Sequence, residues 1–355
     1  MPRSGGGGAR PSAAGPRGRP ATAGSGRHAA GERLDARFYR SVFRIRRVEE
    51  AIADVYPTNR VQSPVHLSIG QEAASVGVCE ALEPADVVFG TYRGHALYLA
   101  KGGDLKRMIA ELYGKAAGCA GGKGGSMHLI DPAAGVMGTS AVVGSTIPQA
   151  VGYAWGLRLQ GRSAVVASFF GDGAVEEGAF HESMNFAALT RAPVLFVCEN
   201  NFYAIHATQV ARQSSTDLLE RSRAYGIPAT RVEDTDAAAI YAAAREAVQA
   251  IRAGTSGPQL LECLGYRWRE HVGPNEDFHA GYRSRDEAEA WFRRDPVVRA
   301  AARLSPEVRA AIEATVLAEI REAFEFAERS PYPDAGALYT NLFRESGHGA
   351  PRHLR

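Results

Sequence analysis

Two short motifs in this sequence pair oxygen ligands with glycines. The run GDGA at 171–174 follows an apolar segment, and Asn201 follows the next apolar segment, 29 residues after Asp172. A carboxylate and an amide oxygen suit Mg²⁺, which usually also keeps phosphate oxygens and waters. Glycines let the backbone approach a phosphate closely, and backbone amides at the start of a helix stabilise an anion. The two motifs therefore predict a site for a magnesium-bound diphosphate between residues 171 and 203.

The elements that would position this site alternate between strands and helices. Apolar runs that predict strands are Val87–Phe89, Ala164–Phe170, Val194–Cys198, Ala229–Val232 and Gln259–Leu264. Helical patterns occur at Asp35–Tyr56, Gln71–Leu82, Leu105–Tyr113, Pro148–Leu159, Glu177–Leu189, Leu218–Tyr225 and Asp236–Arg252, with two terminal helices after about Ser284. This alternation predicts an α/β fold, a mostly parallel sheet with helices on both faces. Ligands of such sheets bind beyond the carboxyl ends of the strands, where both motifs fall.

Two long segments interrupt the alternation. Lys115–Thr146 is rich in glycine, and Tyr266–Tyr282 is aromatic, charged and rich in turn residues. Loops of this length inside a compact domain are usually functional or disordered. We expect both loops to reach the edge of the sheet that carries the site, and we expect a helix to begin directly after GDGA.

The N-terminal segment differs in composition from the rest. Residues 1–33 are dominated by Gly, Pro, Ala and Arg and predict a disordered tail rather than a transit peptide. Residues 34–355 predict one domain with a C-terminal helical extension. The first 31 residues hold five arginines and no acid, which leaves 36 basic against 39 acidic residues in the remainder. A weakly acidic body is not typical of a nucleic-acid binder.

The cysteines and the hydropathy pattern indicate the compartment. Four cysteines occur, Cys79, Cys119, Cys198 and Cys263, and no two form a C-x-x-C pair. This predicts free thiols in a reducing compartment, and therefore a cytoplasmic protein without disulfides or zinc. No apolar run approaches the ~18–20 residues of a membrane helix, so we expect no association with a membrane.

Two other nucleotide motifs fit poorly. The run GCAGGKGGS resembles a P-loop, but Ala117 stands where the first glycine is needed and Gly124 where Ser or Thr must follow Lys123. The run GDGAVEEG resembles a dinucleotide fingerprint, but Glu176 stands where its third glycine is needed. Both readings are therefore rejected.

GDG followed by about 25–30 residues and Asn-Asn resembles the thiamine diphosphate motif. The chain is similar to the α subunit of the E1 component of 2-oxo acid dehydrogenase complexes, of the pyruvate, branched-chain and acetoin types, from about Phe38 to Pro296. The signatures that carry the resemblance are HLSIGQEA (66–73), TYRGHA (91–96), GKGGSMH (122–128), GDGAVEEGAFHESMNFAAL (171–189), ENNFYAI (199–205) and YRWREH (266–271).

The resemblance implies roles for individual residues. Mg²⁺ would be held by the side chains of Asp172 and Asn201 and by the backbone oxygen of Tyr203. The diphosphate would be contacted by Tyr92, Arg93, Gly173, Ala174 and His271. The aminopyrimidine ring would be held by the backbone of Ala141 and Val143, although the family often has glycine at the first position. His271 and His66 would be the catalytic histidines and would manage protons near neutral pH. His95 and His128 lie in matching motifs without an assigned role.

The chemistry implied is that of the cofactor. A thiazolium carbon attacks a pyruvate-like 2-oxo acid, or acetoin, and the acyl fragment passes to a lipoyl group. Cofactor activation in the family uses a glutamate from the pyrimidine-binding domain, which two-subunit enzymes carry on a β chain. This chain shows no second α/β domain, so the resemblance implies an E1 β partner in an α₂β₂ heterotetramer, and a lipoyl-bearing E2 acyltransferase.

Two alternative functions remain at this point. One is a thiamine diphosphate-dependent decarboxylase or transferase of a biosynthetic pathway, without a lipoyl acceptor. The other is a non-catalytic scaffold subunit, against which the intact Asp172, Asn201, Arg93 and His271 argue. A neighbouring gene for a lipoyl-bearing acyltransferase would favour the dehydrogenase.

Overall fold

The computed structural model describes residues 23–340. The first helix begins at Ala23 and ends at Val55, whereas the sequence predicted its start near Asp35. The segment from 21 to 56 contains no proline, the residue that disrupts a helix most strongly, although Gly24, Gly26 and Gly31 each weaken the helix. The predicted tail boundary at residue 33 therefore does not coincide with the start of this helix. The remainder of the predicted tail, residues 1–22, lies outside the described residues.

The centre of the molecule is a six-stranded sheet. The strands of the described chain are Val87–Thr91 (β1), Val136–Ser140 (β2), Val166–Gly171 (β3), Val194–Asn200 (β4), Tyr203–Ala204 (β5), Ala207–Thr208 (β6), Ala229–Val232 (β7) and Gln259–Leu264 (β8). The sheet has the order β2-β1-β3-β4-β8-β7, and each neighbouring pair is parallel. β5 and β6 form a separate antiparallel hairpin. The predicted α/β fold is confirmed.

Helices surround the sheet. They are Ala23–Val55 (α1), Glu72–Ala81 (α2), His95–Ala100 (α3), Leu105–Leu112 (α4), Thr146–Leu159 (α5), Gly178–Thr190 (α6), Gln209–Arg212 (α7), Leu218–Arg223 (α8), Ala237–Arg252 (α9), Arg285–Phe292 (α10), Pro296–Ala301 (α11) and Pro306–Arg329 (α12). The prediction of two terminal helices is wrong, because the described residues after Ser284 form three, α10 to α12. Pro296 and Pro306 each begin a new helix, because proline fits the first helical turn. Within the described residues no helix has the length and apolar character needed to cross a membrane.

Both faces of the sheet are buried. In β3, Ala167 and Phe169 belong to an apolar cluster shared with α1, α2 and α9. Val166 and Phe170 point the other way, into a second cluster shared with α5 and α6. Successive side chains of a strand alternate between faces, so an almost wholly apolar strand requires cover on both sides. β3 indeed lies inside the sheet, paired with β1 on one side and with β4 on the other.

The first long loop wraps around one buried carboxylate. Glu111 accepts hydrogen bonds from the amides of Ala120 at 2.8 Å, Gly122 at 2.9 Å, Gly124 at 2.7 Å and Gly125 at 3.1 Å. Gly122 has a φ of 78° and Gly125 a φ of 59°, backbone conformations that favour glycine. The glycine-rich run that resembles a P-loop therefore surrounds a carboxylate of this chain, that of Glu111. The same loop supplies β2, which the sequence did not predict because it has few apolar residues.

The register of β3 and β4 brings the two motifs together. Gly171 pairs with Glu199, so the residues that follow each strand emerge side by side. The prediction that a helix follows GDGA directly is wrong in detail. A 3₁₀ turn spans Asp172–Glu176, and α6 begins at Gly178. The tighter turn keeps Asp172 at the sheet edge before the α-helix starts.

Candidate active site

A cavity of about 270 Å³ lies beyond the carboxyl ends of β1, β3 and β4. The predicted site residues that line it are Tyr92, Arg93, Val143, Asp172, Gly173, Ala174, Asn201, Tyr203 and His271. Apart from Val143, these residues come from four separate motifs, and the fold brings them to one cavity. His66 and Ala141 are not among the lining residues. His66 packs behind Tyr92 and His271, and Ala141 sits between the lining residues Ser140 and Val142.

Asp172 presents one carboxylate oxygen that has no partner. The residue is 1% exposed, and its Oδ2 accepts a hydrogen bond from Arg212 Nη2 at 2.5 Å. Its Oδ1 is buried and unpaired among the described residues. Burial raises the pKa of the carboxyl group, and the charge and hydrogen bond of Arg212 oppose that rise. An unpaired buried carboxylate oxygen is costly, so this atom indicates a ligand.

The two asparagines at the end of β4 have different hydrogen-bond partners. Asn200 Nδ2 donates to Glu262 Oε1 at 2.7 Å, which anchors the end of the strand to β8. Asn201 Nδ2 donates to Gln71 Oε1 at 2.8 Å, and its Oδ1 accepts from the Tyr203 amide at 3.1 Å. An amide oxygen has two lone pairs, so Asn201 Oδ1 retains one acceptor position for a metal.

The donor set fits a hard cation. No group of three His, Cys, Asp or Glu side chains that could hold a metal occurs in the part of the chain that the structure describes. A metal beside Asp172 would therefore take one carboxylate oxygen, the amide oxygen of Asn201 and a backbone oxygen such as that of Tyr203. The remaining positions would fall to a bound ligand and to water. Mg²⁺ with phosphate oxygens is satisfied in this way, whereas a structural zinc site is not.

Arg93 brings a half-buried positive charge to the same cavity. Its Nη1 donates to the Leu67 carbonyl at 2.7 Å and its Nη2 to the His271 carbonyl at 3.2 Å. Burial lowers the pKa of Arg93 to about 10, and Arg267 adds to the effect. None of the carboxylates in the described residues lies within salt-bridge distance of it. A desolvated guanidinium that lines a cavity and is held by carbonyls is suited to bind a phosphate.

His66, Tyr92 and His271 form an aromatic cluster at one end of the cavity. The ring of His66 lies 4.5 Å from that of Tyr92 and 5.1 Å from that of His271, between ring centroids. Tyr92 and His271 are 5.6 Å apart in an edge-to-face arrangement. His66 also forms a parallel β-bridge with Gly273, which ties its segment to the loop of His271.

Both histidines are neutral in this arrangement. Burial, together with the charge of Arg93, lowers the pKa of His66 to about 3 and that of His271 to about 3. The expectation that they exchange protons near neutral pH is therefore not met by the chain alone. An anion bound by Arg93 would raise both pKa values, because a nearby negative charge favours the imidazolium form.

The loop that carries His271 is held by a buried ionic cluster. Asp277 accepts from Arg267 Nη1 at 3.1 Å and from Arg283 Nε at 2.8 Å. Arg267 and Arg283 also donate to the Arg269 carbonyl at 2.7 and 2.9 Å. A charged, aromatic loop without a regular pattern is therefore ordered by hydrogen bonds that connect its two ends.

Four further residues of the site were not singled out from the sequence. They are Gln71, Glu199 and Ile205, which line the cavity, and Arg212, which holds Asp172. Burial raises the pKa of Glu199 to about 7, with Arg93 acting in the opposite direction. Ile205 is 54% exposed and has a φ of 54°, unusual for a β-branched residue. Gln71, Glu199 and Ile205 lie inside the motifs that carry the resemblance to the E1 family, so those motifs could have identified them.

Comparisons with known proteins agree with this geometry. A family model described as "Dehydrogenase E1 component" matches residues 40–336. The α subunit of acetoin:2,6-dichlorophenolindophenol oxidoreductase from Bacillus subtilis is 38% identical over 311 residues, which are 86% of this chain and 92% of that one. The α subunit of the pyruvate dehydrogenase E1 component from Rhizobium meliloti is 38% identical over 316 residues, covering 87% of this chain and 89% of that one. The corresponding subunit from Zymomonas mobilis is 37% identical over 322 residues, covering 89% and 90%.

The family match spans most of the chain, and the relatives are aligned over nearly their whole length. The resemblance drawn from the motifs is confirmed, and the chain belongs to the dehydrogenase E1 component family.

Proposed function

We propose that this chain is the α subunit of a thiamine diphosphate- and Mg²⁺-dependent E1 enzyme that decarboxylates a 2-oxo acid or cleaves acetoin. The observation that carries the proposal is the unpaired Oδ1 of Asp172, a residue that lines the same cavity as Asn201 and the half-buried Arg93. A cation site next to an anion site is what a metal-bound diphosphate requires. The relatives are named as oxidoreductase and dehydrogenase subunits, which favours this function over the biosynthetic transferase.

Each residue of this chain has a defined task in the proposal. Asp172, Asn201 and the backbone of Tyr203 hold Mg²⁺, while Arg93 and the amides of the turn after Gly171 bind the diphosphate. Thiamine diphosphate, when bound, supplies the nucleophilic carbon and the electron sink.

The neutral imidazole of His271 offers one N–H donor and one acceptor at the end of the cavity, where it binds a polar group of the substrate. His66 packs against that ring and against Tyr92, and so holds both in position. The Arg93–His271 contact links diphosphate binding to the position of that ring, because Arg93 Nη2 donates to the His271 carbonyl.

The partner is proposed to be an E1 β subunit, which would form an α₂β₂ heterotetramer and complete the site. Exposed apolar side chains in two places support this. On α5 and α6 they are Trp155, Leu159, Phe186 and Leu189. Trp155 packs edge-on against Phe186 at 5.5 Å between ring centroids. At the cavity itself, Val142 is 66% exposed and Val143 is 45% exposed, and both line the site. Surfaces of this kind mark interaction sites.

The acyl acceptor is proposed to be a lipoyl group on an E2 acyltransferase, and the compartment to be the cytoplasm. The four cysteines of the described chain are buried and unpaired, which suits a reducing compartment.

The experiment is an assay of the chain co-produced with the β subunit encoded beside it. Pyruvate, branched-chain 2-oxo acids and acetoin are each offered with 2,6-dichlorophenolindophenol as artificial electron acceptor. We expect reduction of the dye with at least one of them, dependent on thiamine diphosphate and Mg²⁺. The Asp172→Asn variant should lose this reduction, and Glu246→Gln, on the exposed face of α9, should keep it. Cofactor binding without turnover of any of these substrates would refute the proposed reaction.

A further inference from the structure

Arg212 fixes the orientation of the Asp172 carboxylate. Its Nη2 donates to Asp172 Oδ2 at 2.5 Å, its Nη1 donates to Glu176, and its Nε donates to the Ala207 carbonyl at 3.2 Å. The side chain is 11% exposed. All three nitrogens of the guanidinium group therefore have partners, and the group cannot move without breaking several hydrogen bonds.

The residue next to Arg212, Gln213, holds the backbone of Asp172. Gln213 Nε2 donates to the Asp172 carbonyl at 3.1 Å and to Glu176 Oε1 at 2.8 Å. Arg212 and Gln213 thus attach α7 to the turn after β3. Because Oδ2 accepts a hydrogen bond from the positively charged Arg212, a second cation is disfavoured at that oxygen, and Asp172 offers the cavity chiefly the buried and unpaired Oδ1.

The number of oxygens that a carboxylate offers affects which cation it binds. Ca²⁺ takes six to eight oxygens and accepts bidentate carboxylates, whereas Mg²⁺ demands octahedral geometry and shorter bonds. We propose that Arg212 is a specificity-determining residue that restricts Asp172 to monodentate coordination and so favours Mg²⁺ over Ca²⁺ at the cofactor site. This inference rests on the proposed function, and it concerns a residue that does not itself touch the metal.

Charge and geometry can be separated by experiment. Removing the positive charge of Arg212 should strengthen the binding of any divalent cation, and Mg²⁺ and Ca²⁺ carry the same charge. The ratio of the Mg²⁺ affinity to the Ca²⁺ affinity therefore reports whether the Asp172 carboxylate is free to coordinate with both oxygens. It does not report the electrostatic potential at the site. A lysine at this position keeps the charge and one hydrogen bond to Oδ2.

The test uses the chain co-purified with its β subunit. Binding of thiamine diphosphate is measured calorimetrically with Mg²⁺ or with Ca²⁺, for the unaltered enzyme and for Arg212→Met, Arg212→Gln and Arg212→Lys. Gln213→Ala is the matched control, since it removes the neighbouring clamp but leaves Asp172 Oδ2 paired.

We expect the unaltered enzyme to bind the cofactor more tightly with Mg²⁺ than with Ca²⁺. Arg212→Met should reduce this preference by about ten-fold, which corresponds to about 1.4 kcal/mol. Arg212→Lys and Gln213→Ala should largely retain it. If Arg212→Met does not fold, Arg212→Gln serves in its place. An unchanged ratio in these neutral variants, with cofactor binding retained, would overturn the inference. Absence of cofactor binding by the unaltered enzyme with either metal would instead overturn the proposed function.

Discussion

Asp172 and Asn201 emerge at the same edge of the sheet because Gly171 pairs with Glu199 across β3 and β4. The two residues are 29 positions apart in the chain, and α6 is the crossover between the strands. Parallel strands joined by one helix always place their carboxyl ends together. The register of β3 and β4 therefore places the two motifs side by side at the cavity.

Arg93 should contribute strongly to diphosphate binding. Replacing it with Met removes a half-buried cation whose guanidinium is already positioned by the carbonyls of Leu67 and His271. We expect the dissociation constant of thiamine diphosphate to rise by about 10- to 100-fold, the effect of about 1.5–3 kcal/mol for a hydrogen bond to a charged group. Arg93→Lys should give an intermediate value, because a lysine lacks the planar fork. Equal affinity in Arg93→Met and the unaltered enzyme would contradict this role.

The buried histidines should make the fold sensitive to acid. In the unfolded chain a histidine titrates near 6.5, whereas in the folded chain the pKa of His271 is about 3. The unfolded state therefore binds more protons between these values, and the free energy of unfolding falls as pH is lowered through this window. His271→Asn should weaken that dependence by up to about 1.4 kcal/mol per pH unit. Denaturant unfolding from pH 7 to pH 4 measures it.

The exposed His279 provides the control for the pH experiment. His279→Asn should leave the slope of stability against pH unchanged. The same slope in His271→Asn and the unaltered chain would mean that His271 is not neutral in the folded state.

Asp277 should hold the loop of His271 in place. Asp277→Asn weakens the hydrogen bonds from Arg267 and Arg283, and leaves two buried guanidinium groups without a full counter-charge. We expect faster amide hydrogen exchange across residues 266–283 and weaker cofactor binding. Glu276→Gln, which alters only an exposed pair with Arg285, should change neither. Unaltered exchange in Asp277→Asn would show that other contacts order the loop.

Glu111 should be essential to the glycine-rich loop. Glu111→Gln replaces one of two acceptor oxygens with a donor that faces backbone amides, and four such amides now point at the carboxylate. We expect a loss of about 2–5 kcal/mol in the free energy of unfolding. Glu325→Gln on exposed α12 should cost less than about 0.5 kcal/mol. Equal stability of the two variants would show that the loop does not depend on this carboxylate.

Strands with strong apolar runs could be predicted from the sequence, whereas the edge strand β2 could not. β8 matches its predicted bounds, because buried parallel strands are almost continuously apolar. β7 also matches, although it is an edge strand whose residues are half-buried or exposed. β2 contains Gly138 and Thr139 in five residues, and only its pairing with β1 makes it a strand. The short helix α3 was not predicted either, because it begins within the TYRGHA motif (91–96), which was interpreted only for its chemistry.

The residues of the site could be predicted where a motif named them, and their environments could not. The cavity brings together Arg93, Asp172 and Asn201 as expected. The low pKa of His66 depends on Arg93, which is remote in sequence, and on burial that the motif does not encode. Arg212 reaches Asp172 across 40 residues and belongs to no quoted signature, so only the folded chain reveals the contact.

The most direct test of the account is a calorimetric titration of thiamine diphosphate with Mg²⁺ into this chain, alone and as the pair with its β subunit. We predict tight binding to the pair, weak or absent binding to the chain alone, and loss of binding to the pair when Mg²⁺ is removed. No binding to the pair in the presence of Mg²⁺ would contradict the assignment of the cavity around Asp172 and Asn201 as a cofactor site.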